Sequence, residues 1–281
     1  MAILIDGKAT AAQIRKELAQ EVEETFQATG IRPGLAVVLV GENPASQIYV
    51  RNKENACKEV GFYSEVYRLP AAAKQEELNQ LIDKLNRDPK IHGILVQLPL
   101  PEGLSEKEVI ERIDPKKDVD AFHPYNVGKI MQGDYGFLPC TPAGIMELLD
   151  RYHIEISGKR CVVVGRSNIV GKPMSQLLLQ KDGTVTVCHR KTQNLQAVCL
   201  EADILVAAIG KADFFKGDMV KEGSVVIDVG MNRNAEGKLT GDVDFASVAP
   251  KASYITPVPG GVGPMTITML LKNTLYASKH I

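Results

Sequence analysis

Hydrophobic and polar positions along this chain fall into blocks that switch repeatedly between two periods. All-apolar runs of strand length, such as Leu35–Val40, predict strands covered on both faces. Amphipathic runs between them predict helices. In order, a short strand over Ile3–Ile5 precedes a helix from Thr10 to Thr29, closed by Gly30 as a left-handed cap. After Leu35–Val40, Asn43-Pro44 reads as a helix cap followed by a first-turn proline, and that helix should run to Gly61. A strand (Phe62–Leu69), a helix (Lys74–Asn86, stopped by Asp88-Pro89) and a strand (Ile91–Leu98) follow, and Ser105 to Glu108 form a capping box opening a last short helix. Residues 114–141 form a crossover, and Thr141-Pro142 caps a helix ending near Tyr152. After Gly158 the alternation restarts, with strands at Arg160–Gly165, Thr184–Cys188, Asp203–Ile209, Ser224–Val229 and Ala252–Thr256, and helices after the first two. An amphipathic helix to about Lys279 closes the chain. Alternating βα units predict an α/β fold with parallel sheets, and 281 residues suggest two domains.

Composition narrows the function classes. Thirty-three basic against 34 acidic residues leave a net charge of −1, which points neither to nucleic acid nor to a membrane surface. The stretch Met1–Asp6 is too short and too quickly acidic for a signal peptide, and no apolar run approaches the ~20 residues that span a bilayer. Five cysteines without a C-x-x-C pair read as free buried thiols of a reducing compartment, so a cytoplasmic protein is expected. The five histidines have no metal-ligand spacing, and no metal is expected.

Four stretches carry candidate chemistry. In Cys161-Val-Val-Val-Gly165-Arg-Ser-Asn-Ile-Val-Gly171-Lys-Pro173 an apolar strand runs into a glycine turn and a helix start, which aims N–H groups and a helix dipole at one point and suits a phosphate. Ser167 replaces the usual second glycine, so a plain βα turn is the alternative; the βαβ series around it favours a dinucleotide seat. A Walker A loop is excluded, because Pro173 stands in place of Ser/Thr. The next strand ends in His189-Arg190-Lys191 with no acid to bind a ribose 2′-hydroxyl. That favours NADP over NAD, with Arg166 as a second donor to the 2′-phosphate; a solvated basic loop is the alternative. On the helix after Asn43, Ser46, Tyr49 and Lys53 share one face, just past the C-terminal end of a strand, either as a ligand-facing set or as an ordinary solvated face. Gln97 is the one polar side chain in an otherwise core-like strand, and needs a partner: a loop carbonyl, or a lysine or ligand. Asp118 and Asp120 read as loop caps or ion-pair members more readily than as metal ligands. Pro257 to Pro264 packs three glycines and three prolines into eight residues, a loop where backbone can approach a ligand closely.

Taken together, Tyr49-Val-Arg-Asn-Lys53, Gly93-Ile-Leu-Val-Gln97-Leu-Pro-Leu-Pro101, Lys117-Asp-Val-Asp120, Pro139-Cys-Thr-Pro142, Gly165 to Pro173 and Pro257 to Thr266 resemble the bifunctional methylenetetrahydrofolate dehydrogenase/cyclohydrolase family. The resemblance implies two α/β domains flanking a cleft: a folate-binding catalytic domain over 1–139, with a C-terminal helix at 265–281 packed back on it, and a Rossmann-type NADP-binding domain over 140–264. It implies NADP-dependent oxidation of 5,10-methylenetetrahydrofolate, then hydrolysis of the methenyl product to 10-formyltetrahydrofolate, by a homodimer formed mainly through the cofactor domains. By similarity Lys53 is the central catalytic residue, Tyr49 stacks on the folate, Gln97 bonds Lys53 and Asp120 holds the pterin. The resemblance adds Ser46, Pro259, Gly260 and Gly261 to the substrate set. Its cofactor set is Gly165, Arg166, Ser167, Ile169 and Val170 in the turn, then His189, Arg190 and Met231. Ala121 stands where the family has glycine, a change expected only to adjust that loop.

Overall fold

A computed structural model describes residues 2–234 and 236–281. The chain opens with β1 (Ile3–Leu4) and α1 (Gly7–Thr29). It continues through β2 (Gly34–Val40), α2 (Pro44–Glu59), β3 (Tyr63–Leu69), α3 (Gln75–Arg87), β4 (Gly93–Val96), α4 (Glu106–Arg112), α5 (Pro124–Gln132) and α6 (Cys140–Arg151). The second series is β5 (Arg160–Val164), α7 (Gly171–Gln180), β6 (Thr184–Cys188), α8 (Leu195–Leu200), β7 (Ile204–Ala207) and β8 (Val225–Asp228). The hairpin β9 (Asn232–Arg233) and β10 (Leu239–Thr240), then α9 (Phe245–Val248), β11 (Tyr254–Ile255) and α10 (Val262–His280), complete it. The residues fall into two compact units. One is Ala12–Cys140 with Ile267–Ile281; the other is the N-terminal segment through Ala11 with Thr141–Thr266. The first eleven residues thus differ from the expected division at 139/140, because β1 pairs in parallel with β11.

In the first unit three parallel strands lie in the order β3-β2-β4. All seven residues of the central strand β2 are buried, as its unbroken apolar run required. α3 lays Leu78, Ile82 and Leu85 against Ala36, Val38 and Ile94 to form the core beside it. Asn43 caps α2 by accepting from the Ser46 N–H, with Pro44 in the first turn, and Ser105 accepts from the Glu108 N–H at 3.2 Å to open α4. Beyond β4 the segment Lys117–Val119 continues the sheet through a bond from the Ile94 N–H to the Lys117 carbonyl. A Cβ on Gly93 would lie 2.8 Å from Val119 Cγ1, so glycine is what lets this segment lie so close.

The second unit is a six-stranded parallel sheet, in the order β1-β11-β8-β7-β5-β6. Three expectations need correction here. Thr141 does not cap a helix: α6 already begins at Cys140, and the Thr141 hydroxyl bonds that of Thr266 at 2.9 Å. α10 starts at Val262, inside the stretch read as loop, because Pro264 is tolerated in a first turn. β7 stops at Ala207 rather than Ile209: the Ala208 N–H still reaches Val164 O, but the amides of Ile209 and Gly210 turn to a side chain, Asp242, and leave the ladder.

Candidate active site

Lys53, Gln97 and Asp120 come together in the first unit, each for a local reason. α2 begins where β2 ends, so its opening turns lie at the C-terminal edge of the sheet, where parallel α/β sheets take ligands, and the long Lys53 side chain reaches Gln97 at that edge. Ser46 is buried on that helix, and Tyr49 and Lys53 are half-buried. Gln97 is the first residue past β4. Its N–H extends the ladder to Val38 O at 2.8 Å, its amide donates to Leu98 O at 2.7 Å, and its Oε1 accepts from Lys53 Nζ at 3.0 Å. Both alternatives read from the sequence are therefore realised, one by each end of the amide.

Asp120 sits where the Lys117–Val119 extension ends. Burial pushes its carboxyl up to about 6, against the opposing pull of the nearby Lys53 charge. Burial likewise lowers the Lys53 ammonium from its ordinary value, and Asp120 holds it partly up. The lowered pKa of Lys53 is thus present in the protein itself, before any cationic ligand is considered. Asp118 caps a loop, as read from the sequence: its Oδ2 accepts from the His123 N–H and from Asn126 Nδ2, both at 2.8 Å.

Ala121 explains the family's glycine. Its φ is +57°, and the left-handed region costs a non-glycine residue roughly 1–2 kcal/mol. Sequence reading missed two residues that shape this corner. The Cys140 thiol lies 3.7 Å from Asp120 Oδ1, its pKa raised chiefly by burial. Asn273 of α10 donates through Nδ2 to Val119 O and Leu138 O, both at 2.8 Å, bracing the backbone on either side of the pair. A lone asparagine on an otherwise apolar helix face was the signal, and it needs the same explanation that Gln97 did.

The remaining predicted residues lie in the second unit. Gly165 has φ +133°, and a Cβ there would lie 2.2 Å from Ala208 O. Ser167, in place of a glycine, accepts through Oγ from the N–H groups of Val170 (3.2 Å) and Gly171 (3.3 Å), and so satisfies the amides that lead into α7, whose N-cap Val170 makes no side-chain cap bond. Arg166 and Ile169 are exposed, and Val170 is half-buried. Gly165 N–H bonds Cys188 O, which brings this turn beside the end of β6 and hence beside His189-Arg190-Lys191. His189 Nδ1 accepts from the Lys191 N–H at 3.2 Å, which commits that ring to the turn; Arg190 and Lys191 are exposed. Met231 follows β8, and a Cβ on Gly263 would meet its sulfur at 3.7 Å. In the glycine-rich stretch Pro259 is exposed, while Gly260 O accepts from the Lys8 N–H at 2.8 Å and Gly7 lies flat against Gly261 O. Part of the close approach that these glycines predict is therefore made to the start of α1.

Comparison with known proteins is consistent along the chain. Residues 5–120 match the catalytic domain of tetrahydrofolate dehydrogenase/cyclohydrolase, and residues 139–281 match its NAD(P)-binding domain. A protein of Moorella thermoacetica named bifunctional protein FolD is 62% identical over 277 residues, covering 99% of each chain. The crystal structure of the bifunctional methylenetetrahydrofolate dehydrogenase/cyclohydrolase of Campylobacter jejuni is 51% identical and superposes with a TM-score of 0.97 over 99% of each chain. The Trypanosoma brucei enzyme, solved with NADP cofactor and an inhibitor, is 42% identical, with a TM-score of 0.95 over 99% of this chain and 97% of that one.

Proposed function

We infer the chemistry from one premise: this chain belongs to the tetrahydrofolate dehydrogenase/cyclohydrolase family. It is an enzyme that oxidises 5,10-methylenetetrahydrofolate to the 5,10-methenyl cation with NADP⁺, and hydrolyses that cation to 10-formyltetrahydrofolate. NADP⁺, when bound, supplies the hydride acceptor. The chain's own residues fit that cofactor. Gly165 leaves a backbone cradle that any side chain would fill, and the neighbouring strand ends in two exposed cations, Arg190 and Lys191, with no carboxylate.

For the hydrolysis we assign Lys53 the proton transfers. Water adds to the methenyl carbon and gives up both of its protons: N5 gains one as the C–N5 bond breaks, and the other passes to solvent as the hydroxyl becomes the formyl C=O. A lysine whose pKa burial has lowered can hold its amine neutral to accept the first proton and return it as ammonium to N5. The carrying observation is the Lys53–Gln97 bond at 3.0 Å, which fixes the amine's direction. Asp120, ionised above about pH 6, is assigned the pterin as hydrogen-bond acceptor. Tyr49 and Ser46, on the same helix face, are assigned to the rest of the folate. Absorbance during incubation with methylenetetrahydrofolate and each dinucleotide tests the whole reading. Methenyl formation with NADP⁺ followed by its decay supports it, and no methenyl signal with either cofactor refutes it.

The cofactor assignment carries its own prediction. Arg190→Ala should raise the KM for NADP⁺ about tenfold or more, the loss of one charge-assisted phosphate contact, and leave that for NAD⁺ nearly unchanged. Equal shifts for the two dinucleotides would remove Arg190 from the 2′-phosphate. We also propose a homodimer joined through the dinucleotide-binding unit. There β6 is an edge strand, with Val187 exposed on it and Leu179 and Leu200 exposed on the adjoining helices. Sedimentation should give twice the 30.6 kDa chain mass; a species of one chain mass at micromolar concentration rejects it. Residence in the cytoplasm is proposed from the five free buried thiols, with cell fractionation as the check.

A further inference from the structure

Two buried carboxylates in the dinucleotide-binding unit are unused by this mechanism. Asp242 is fully buried and Asp228 is 4% exposed. Among the described residues, neither accepts a hydrogen bond from a lysine or arginine side chain. Asp242 Oδ2 accepts from the N–H groups of Ile209 (2.6 Å) and Gly210 (3.0 Å), and its Oδ1 from the Lys211 N–H (2.8 Å) and Asn232 Nδ2 (2.9 Å). Three successive amides converging on one anion make a backbone nest, the arrangement that loops use to grip a phosphate. Here the anion comes from the protein. Asp228 supports it in turn: its Oδ1 accepts from the N–H groups of Gly230 and Asp242, both at 2.9 Å, and its Oδ2 from that of Val243 at 3.0 Å.

The position of this nest gives it consequence. Ile209–Lys211 leave the C-terminal end of β7, the edge where open parallel sheets take dinucleotides. The residue before it, Ala208, donates to Val164 O at 2.8 Å, and its own carbonyl is the atom that a Cβ on Gly165 would strike. The phosphate turn therefore rests on a strand end whose path Asp242 dictates. Close packing tightens the pair itself, since a Cβ on Gly241 or Gly230 would collide with the carboxylate of Asp228 or Asp242 respectively.

We propose that Asp242, braced by Asp228, is the positioning residue of the NADP site: it fills the nest after β7 from within, and so fixes the loop on which cofactor affinity depends. This rests on the dinucleotide reading given above. The two carboxylates predict a graded effect. An asparagine at 242 must turn its NH2 toward a pair of N–H donors whichever way the amide flips, whereas at 228 one flip faces a single donor, Val243.

The experiment measures three things in Asp242→Asn, Asp228→Asn and the unaltered enzyme. These are the KM for NADP⁺ in the oxidation, the rate of methenyltetrahydrofolate hydrolysis (which consumes no dinucleotide), and NADPH binding by its fluorescence. We expect the KM and the NADPH Kd to rise roughly tenfold or more in Asp242→Asn and several-fold in Asp228→Asn, with hydrolysis at the unaltered rate. If Asp242→Asn does not fold, Asp228→Asn carries the comparison alone. An unchanged NADPH Kd in a variant that still hydrolyses overturns the proposal, as does a parallel fall of hydrolysis and binding with the melting temperature. Should the unaltered enzyme neither oxidise nor hydrolyse folate, the fluorescence titration still reads the proposal by itself.

Discussion

Lys53→Met should cut methenyltetrahydrofolate hydrolysis by about 10²–10⁴-fold, the usual contribution of a positioned proton-transfer group, while NADPH binding is kept. Methionine retains the length and much of the volume of lysine, so α2 should still pack and the loss should fall on the chemistry. Lys53→Arg sharpens the test. Arginine keeps the cation but cannot release its proton near neutrality, so a loss as large as that of Met would identify proton transfer rather than charge as what lysine provides. The pH profile adds a third reading. The unaltered enzyme's rate should climb with pH through the lowered Lys53 pKa, because the neutral amine is the base, and the Met variant should be flat over the same range. A Met variant that hydrolyses normally would remove Lys53 from the mechanism and leave its bond to Gln97 as packing.

The difference between what the sequence made legible and what it hid lies in the range of the interactions. β2, α2 and the cap at Asn43 follow from short-range rules, and all three are where those rules put them. Gln97 was flagged because a lone amide in an apolar strand needs partners, and its partners were found at both of its ends. Lys53 could be placed on a face with Tyr49 from helical geometry alone. The Asp120 environment could not be read in this way, because its neighbours are assembled from three separate segments. Cys140 opens α6, and Asn273 on α10 reaches the carbonyls of Val119 and Leu138 across sequence separations of 154 and 135. The same holds for β1, two residues long, whose sheet is decided by a partner strand at the far end of the chain. Ala121 is an intermediate case. The change from the family's glycine was expected only to adjust the loop, and the structure shows the alanine holding a positive φ there at a cost.

Gly165→Ala should do to the dehydrogenase what Lys53→Met does to the hydrolase. The added Cβ would sit 2.2 Å from Ala208 O and 2.9 Å from its carbon, both backbone atoms, at a φ of +133° that side chains rarely adopt. No rotamer relieves such a clash, so β5 and β7 must separate where the turn rests on them. Overpacking of this kind costs about 1–3 kcal/mol, and a turn moved by an ångström no longer presents its N–H groups to a phosphate. The KM for NADP⁺ should rise by about 100-fold or more, read together with the melting temperature and the hydrolysis rate. Ser167→Gly supplies the contrast. It brings the turn closer to the usual dinucleotide pattern, yet the serine accepts from the N–H groups of Val170 and Gly171, and losing those bonds should destabilise the entry to α7 by about 1 kcal/mol. The variant nearer the pattern should therefore bind NADP⁺ no better than the native enzyme. If Gly165→Ala binds NADP⁺ normally, or Ser167→Gly binds it more tightly, the turn works by some geometry other than the one these contacts define.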